Sequence, residues 1–187
     1  MLSKRDEQKL GGFLCLLLRH NPDSFALKID KYGFASINDL LNIFSKDEYW
    51  RDKVSFETLI ETCSSDTKER YILTGTHIRA RYGHSIHIEH PESDKHLPDI
   101  LYHGTNAEAL TGILNKGILP MSRKDVHLSE TPTFATLAAK RRKGPILLKI
   151  DVAKALTLDT EFKFAGNEVW LSTPIPVDAI IRKIHIN

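Results

Sequence analysis

Apolar and polar positions along the first twenty residues recur at helical spacing. Leu10, Phe13, Leu14, Leu17 and Leu18 stand three and four apart, the stripe of a helix with one buried face. Ser3 occupies an N-cap position, and Asp6 and Glu7 suit the positive end of the helix dipole. Pro22 disfavours helical geometry at Asn21, so the helix is predicted to end near His20, with Arg19 and His20 in its last turn. Gly11 and Gly12 weaken it locally or let another element come close. Ala26-Leu27-Lys28-Ile29-Asp30 alternates and predicts a short extended piece before a turn at Lys31-Tyr32-Gly33. Ser36 with Asp39 makes a capping arrangement for a second helix, with Ile37, Leu40, Leu41 and Phe44 on one face. Ser55 caps a third, carrying Phe56, Leu59, Ile60 and Cys63. Arg70-Tyr71-Ile72-Leu73 and His77-Ile78-Arg79-Ala80 flank a turn and predict a β-hairpin. Three helices followed by a hairpin predict a winged-helix lobe.

Residues 90–99 are polar and hold two prolines, Pro91 and Pro98, which reads as a linker. The boundary is placed near residue 95, giving lobes of 1–95 and 96–187. In the second lobe, Asp99–Thr105 reads as a buried strand ending in a tight turn, and Thr105 or Asn106 caps a helix with Leu110, Ile113 and Leu114, closed by Gly117. Val126-His127-Leu128-Ser129 is a second short strand. A helix starting at 131–133 is expected to bury Phe134, Leu137 and Ala138 and to end in Lys140-Arg141-Arg142-Lys143. Strands over 145–151, 162–164, 169–172 and 180–186 complete a β-rich lobe with two helices. The fold class is α+β.

The 187 residues are enough for one large domain or two small lobes. Apolar content of 41% with 27% charged residues is that of an ordinary globular protein. A net charge of +2 neither demands nor excludes nucleic acid, so any basic surface must be local. Cys15 lies inside the apolar helix and is expected in the core, Cys63 in the core or at the surface, and their spacing fits neither a metal site nor a disulfide framework. The polar N-terminus holds no signal peptide or membrane span, so a cytoplasmic location is expected, and nothing in the polar surface calls for more than a monomer.

Chemistry concentrates at the end of the first helix. Arg19 and His20, on a greasy stem, are placed to grip an anion. Three later stretches look built to join them: Glu69-Arg70-Tyr71, Leu101-Tyr102-His103-Gly104-Thr105 and Ser122-Arg123 through Ser129. Arginine suits a phosphate because its planar fork binds oxygens in pairs and stays charged. Alternation puts Arg79 and Arg81 on one face of their strand. No Gly-x-Gly-x-x-Gly or Walker loop is present, so any dinucleotide is not held in the Rossmann manner. These features predict a site for a phosphate and a dinucleotide at the junction of two lobes.

Taken in order, Leu18-Arg19-His20-Asn21-Pro22, Lys68-Glu69-Arg70-Tyr71, Ile78-Arg79-Ala80 with Gly83-His84-Ser85, Tyr102-His103-Gly104-Thr105, Ser122-Arg123, Val126-His127-Leu128-Ser129 and Val169-Trp170-Leu171 resemble the RNA (tRNA) 2′-phosphotransferases. The second lobe is similar to the ADP-ribosyltransferase fold, whose split β-sheets cradle NAD. The resemblance implies that the 2′-phosphate of an RNA attacks C1″ of the nicotinamide ribose of NAD, and that the 2″-hydroxyl then attacks the phosphate. The products are RNA, nicotinamide and ADP-ribose 1″,2″-cyclic phosphate. It implies Arg19, His20, Arg70 and Arg123 as the catalytic set. It places His103, Gly104 and Thr105 against the dinucleotide, with His127, Leu128 and Ser129 on the facing strand, and Arg79 and Ser85 against the dinucleotide or the RNA phosphates. Three positions depart from the family pattern: Arg81 and Tyr82, where it more often has Asn-Gln, and Glu168, where glycine is common. Rival readings are an ADP-ribosyltransferase that stops after the first step, and a non-catalytic winged-helix nucleic-acid binder.

Overall fold

The computed structural model describes residues 2–186, Arg182 by its backbone alone. The chain forms two compact units, one ending at Pro91 and the other starting at Glu92. Among the described residues no helix is long and apolar enough to cross a membrane.

In the first unit, Ser3 Oγ accepts the Asp6 N–H at 3.1 Å and starts α1 (Lys4–Cys15). The helix then widens into a single π turn, Leu16–His20, in which the Asn21 N–H reaches back five residues to Leu16 O at 2.9 Å. Leu10, Leu14, Leu17 and Leu18 are fully buried. Ser36 and Ser55 cap α2 (Ile37–Lys46) and α3 (Phe56–Ser64). Phe44, Ile37, Leu40 and Leu59 close the core against α1. The hairpin forms as β2 (Tyr71–Thr74) and β3 (His77–Ala80), turning at Gly75 and Thr76, and β1 (Phe34–Ser36) pairs on the other side of β3. The antiparallel order is β1-β3-β2.

Three expectations are corrected. Residues 26–30 are not a strand: a 3₁₀ turn over Asp23–Phe25 ends in a left-handed Ala26, and only Ile29 bridges to Ala35. Arg81 lies beyond the end of β3, so it shares no strand face with Arg79. Cys15 is half-buried, whereas Cys63 is in the core, where burial pushes its thiol up to about 12.

The second unit is built on a six-stranded antiparallel sheet, ordered β7-β8-β5-β4-β6-β9. Its strands are β4 (Ile100–Asn106), β5 (Val126–Ser129), β6 (Pro145–Asp151), β7 (Phe162–Gly166), β8 (Val169–Ser172) and β9 (Ile180–His185). β4 pairs with β6 from Ile100↔Asp151 through Asn106↔Pro145 but meets β5 only at Tyr102↔Ser129. The sheet therefore has a thin seam between β4 and β5. Asn106, not Thr105, caps α4 (Ala107–Lys116).

Thr131 caps α5 (Pro132–Ala139), and here the expected face is wrong. Ala135 and Ala139 are buried, while Leu137 is 56% exposed and Ala138 is exposed too. The cause is Gly104 on β4. A Cβ there would stand 2.1 Å from the Ala135 carbonyl oxygen, so the helix backbone lies almost on the strand and only small residues fit underneath. A short third helix, α6 (Val152–Leu156), capped by Asp151, was not expected. Between β7 and β8 the chain turns on Asn167 and Glu168, both left-handed at φ 47° and 61°, the geometry of a type I′ turn.

Candidate functional site

The π turn ends in Arg19 and His20, and the segment Tyr82–Ser85 wraps both. The Ser85 N–H donates to Arg19 O at 2.9 Å, and Ser85 Oγ lies 3.0 Å from His20 Nδ1. Arg19 is 7% exposed, and among the described residues no carboxylate pairs with it; its Nε and Nη2 are buried without a hydrogen-bond partner. Its guanidinium carbon lies 5.5 Å from the Tyr82 ring centroid. A buried cation kept from neutralisation is costly to the fold, and an anion would relieve that cost. His20, by contrast, is exposed. His84 sits behind the pair with both ring nitrogens buried and unbonded; burial, with the charge of Arg19 next, pushes it down to about 3.

Arg70 is held differently. Its Nε and Nη2 grip the Asp66 carboxylate at 2.8–3.2 Å, and its Nη2 comes 3.2 Å from where a Cβ on Gly11 would stand. Gly11 is thus the glycine that lets another element approach, since Tyr71 Oη also donates to its carbonyl at 3.0 Å. Hydrogen bonds donated to Asp66 hold the Arg70 guanidinium more firmly protonated than usual. Burial pushes the Asp66 carboxyl up, but the bonds from Arg70 outweigh it and leave it lowered. Arg79 is buried and donates from Nη1 to Tyr32 O at 2.8 Å, while its Nε is buried without a hydrogen-bond partner.

In the second unit two imidazoles flank the β4–β5 seam. His103 Nδ1 lies 2.9 Å from His127 O, and His127 Nδ1 lies 3.0 Å from Asp125 O. A carbonyl can only accept, so Nδ1 carries the proton in each ring. Burial keeps His103 below the ordinary histidine range, opposed by its bond to His127 O and aided by the charge of Arg123. His103 is therefore neutral at pH 7 and presents an acceptor at Nε2. Arg123 stands on the exposed turn before β5, its N–H donating to Pro120 O.

The remaining predicted positions are mostly internal. Leu128 is 2% exposed and packs in the core. Ser129 is buried and donates to Thr131 O at 2.8 Å, and Thr105 is buried. Gly104 makes room for the backbone of α5. Asp66 was missed as the partner of Arg70, although their i,i+4 spacing is a signal for such a pair. Tyr82 was missed as the ring on Arg19, and nothing local in the sequence announces it.

Arg19 and His20 thus stand together at a helix end, one guanidinium buried with no carboxylate pairing with it among the described residues. A family model described as RNA 2′-phosphotransferase, Tpt1 / KptA family, matches residues 4–174. Similar proteins include the Probable RNA 2′-phosphotransferase 1 of Archaeoglobus fulgidus, 35% identical over 100% of this chain and 86% of that protein. The Probable RNA 2′-phosphotransferases of Bacillus thuringiensis and Fusobacterium nucleatum are each 37% identical, over 87% and 91% of this chain and 88% and 96% of theirs. The chain belongs to the RNA 2′-phosphotransferase family.

Proposed function

We propose that this chain is an NAD-dependent RNA 2′-phosphotransferase acting on an internal 2′-phosphate, with tRNA as the natural class of substrate. The observation that carries this reading is the Arg19 guanidinium, buried beside His20 without a carboxylate, in a chain of this family. The first unit is then a winged-helix lobe and the second an ADP-ribosyltransferase-like lobe that takes NAD as co-substrate. The protein works as a cytoplasmic monomer.

In step one a phosphate oxygen forms a bond to C1″ as the bond from C1″ to the nicotinamide nitrogen breaks, and neutral nicotinamide leaves. The nucleophile is already anionic at neutral pH, so this step needs positioning and charge control rather than a strong base. Arg19, Arg70 and Arg123 supply both, as preorganised donors. In step two the 2″-hydroxyl oxygen gives up its proton as it bonds to phosphorus, the bond from phosphorus to the RNA 2′-oxygen breaks, and that oxygen takes up a proton, so none is gained or lost overall. Of the four groups only His20 can move a proton near neutral pH. His103 Nε2, as a neutral acceptor, suits a ribose hydroxyl of the dinucleotide, and His127 and Ser129 lie on the facing strand.

The test is incubation with NAD and a short 2′-phosphorylated RNA, resolving both products. Nicotinamide together with ADP-ribose 1″,2″-cyclic phosphate is expected. A stable ADP-ribosylated RNA with no cyclic phosphate indicates a transferase that stops after step one, and no nicotinamide release overturns the reading.

A further inference from the structure

Arg81 and Tyr82, which depart from the family pattern, form a bridge within the first unit. On one side they bind the backbone that leads into Arg70. The Arg81 N–H donates to Arg70 O at 2.7 Å, Arg81 Nε to Glu69 O at 2.9 Å, and Tyr82 Oη to Lys68 O at 2.9 Å. Glu69 is left-handed at φ 44°, a conformation a non-glycine residue keeps only where its surroundings hold it. On the other side the Tyr82 ring lies under Arg19, 5.5 Å from the guanidinium carbon. Gly83 follows at φ 90°, and a Cβ there would stand 3.1 Å from Arg19 Nη1, so the chain passes close beneath the same group. One side chain thus touches the Arg19 guanidinium through its ring and the Arg70 segment through its hydroxyl.

The choice of partner has a physical logic. A carboxylate would hold Arg19 as well, as Asp66 holds Arg70, but it would compete with a bound anion for the charge. An aromatic face attracts the cation through its quadrupole and leaves the net charge in place. We propose that Tyr82 is a positioning residue that orients Arg19 by its ring and fixes the Lys68–Arg70 backbone by its hydroxyl, so that both guanidiniums are set before an anion arrives. This rests on the function proposed above.

The two roles separate by substitution. Tyr82→Phe keeps the ring and loses the hydroxyl; Tyr82→Leu and Tyr82→Met lose both. The Arg19 Nε–Hε cross-peak of ¹⁵N-labelled full chain, assigned by its loss in Arg19→Lys, reports the ring without any turnover. It is expected to keep its ring-shifted position in Tyr82→Phe and to move in Tyr82→Leu or Tyr82→Met, whichever folds. Removing the ring is expected to lower kcat/KM for a 2′-phosphorylated RNA about tenfold, and Tyr82→Phe to restore most of that. Tyr82→Phe alone is expected to speed hydrogen exchange of the Arg70 amide about fivefold, one hydrogen bond's worth. A cross-peak and kcat/KM unmoved in a folded Tyr82→Leu or Tyr82→Met overturn the proposal. So does a Tyr82→Phe variant as impaired as those two. Failure of wild-type turnover with NAD and 2′-phosphorylated RNA instead overturns the functional reading, while the cross-peak still judges Tyr82.

Discussion

Arg19, His20 and Arg70 of the first unit are held by side chains; His103 and His127 of the second are held by backbone. Arg19 rests on a tyrosine ring, Arg70 on a carboxylate and His20 on a serine hydroxyl. His103 and His127 instead donate to main-chain carbonyls, placed by strand register and the turn before β5. The difference follows from what each element can supply. A helix end and a hairpin exit present side chains in loosely determined directions, so further side chains must fix them. A strand aims alternate residues by its pleat, and only the ring rotation remains to be set. The first arrangement should be sensitive to single polar substitutions, the second to anything that shifts the sheet.

The largest effect is expected in the second unit. Gly104→Ala puts a methyl group into the α5 backbone, since the nearest atom stands 2.1 Å from the new Cβ. A loss of about 3 kcal/mol or more is expected in urea unfolding. Wild-type stability would show that register alone, without α5, carries β4.

Next come the two arginines of the first unit, which should part company. Arg70→Met leaves Asp66 largely buried and unpaired, with an expected cost of about 3 kcal/mol. Adding Asp66→Asn should recover most of it in a double-mutant cycle. Arg19→Met removes a buried charge that no carboxylate neutralises, so the melting temperature should hold or rise while turnover falls roughly 10²–10³-fold. Equal destabilisation by both would erase the distinction between a paired and an un-neutralised cation.

His84 sharpens the comparison further. Its folded value of about 3 lies below the ordinary 6.5, so the unfolded chain takes up the proton first as pH falls. The stability it contributes is complete above about 6.5 and drains away toward about 3. By pH 5 the loss is expected to be about 2 kcal/mol. Arg19, Arg79, His90 and His20 all face this ring and act in the same direction. Thermal unfolding from pH 7 to pH 5 should show a flatter acid limb in His84→Gln; an unchanged limb would assign the acid loss elsewhere.

The smallest effect concerns the β7–β8 turn. Glu168→Gly relieves a left-handed glutamate at φ 61° but removes the bond from Thr131 Oγ1 to its carboxylate. A net gain of about 0.5 kcal/mol is expected, because the turn geometry favours glycine at that position. A loss in calorimetry would show that the α5 cap depends on this carboxylate.

Local grammar was readable from the chain. Ser3, Ser36 and Ser55 cap where their spacing placed them, because an N-cap is decided within four residues. Both hairpin strands of the first unit and all six strands of the second follow from alternation and apolar runs. The buried face of α5 was not readable. Phe134, Leu137 and Ala138 are as apolar as Ala135 and Ala139, and the choice is made by Gly104, some thirty residues earlier on another element. Arg19 and His20 stood out through the helix stop at Pro22. The ring under Arg19 and the carboxylate on Arg70 did not, since both depend on how loops meet in space.

The π turn at Leu16–His20 has a consequence for how this stem tolerates insertions and deletions. It winds in one residue more than an α-turn would hold. Were the same residues to wind instead as an unbroken α-helix, that extra residue would no longer be absorbed. Everything downstream would then be out of phase by about 100°, the angular step of one residue. Such rewinding would swing the basic tip away from its cradle, so the winding of this stem is as constrained as its chemistry.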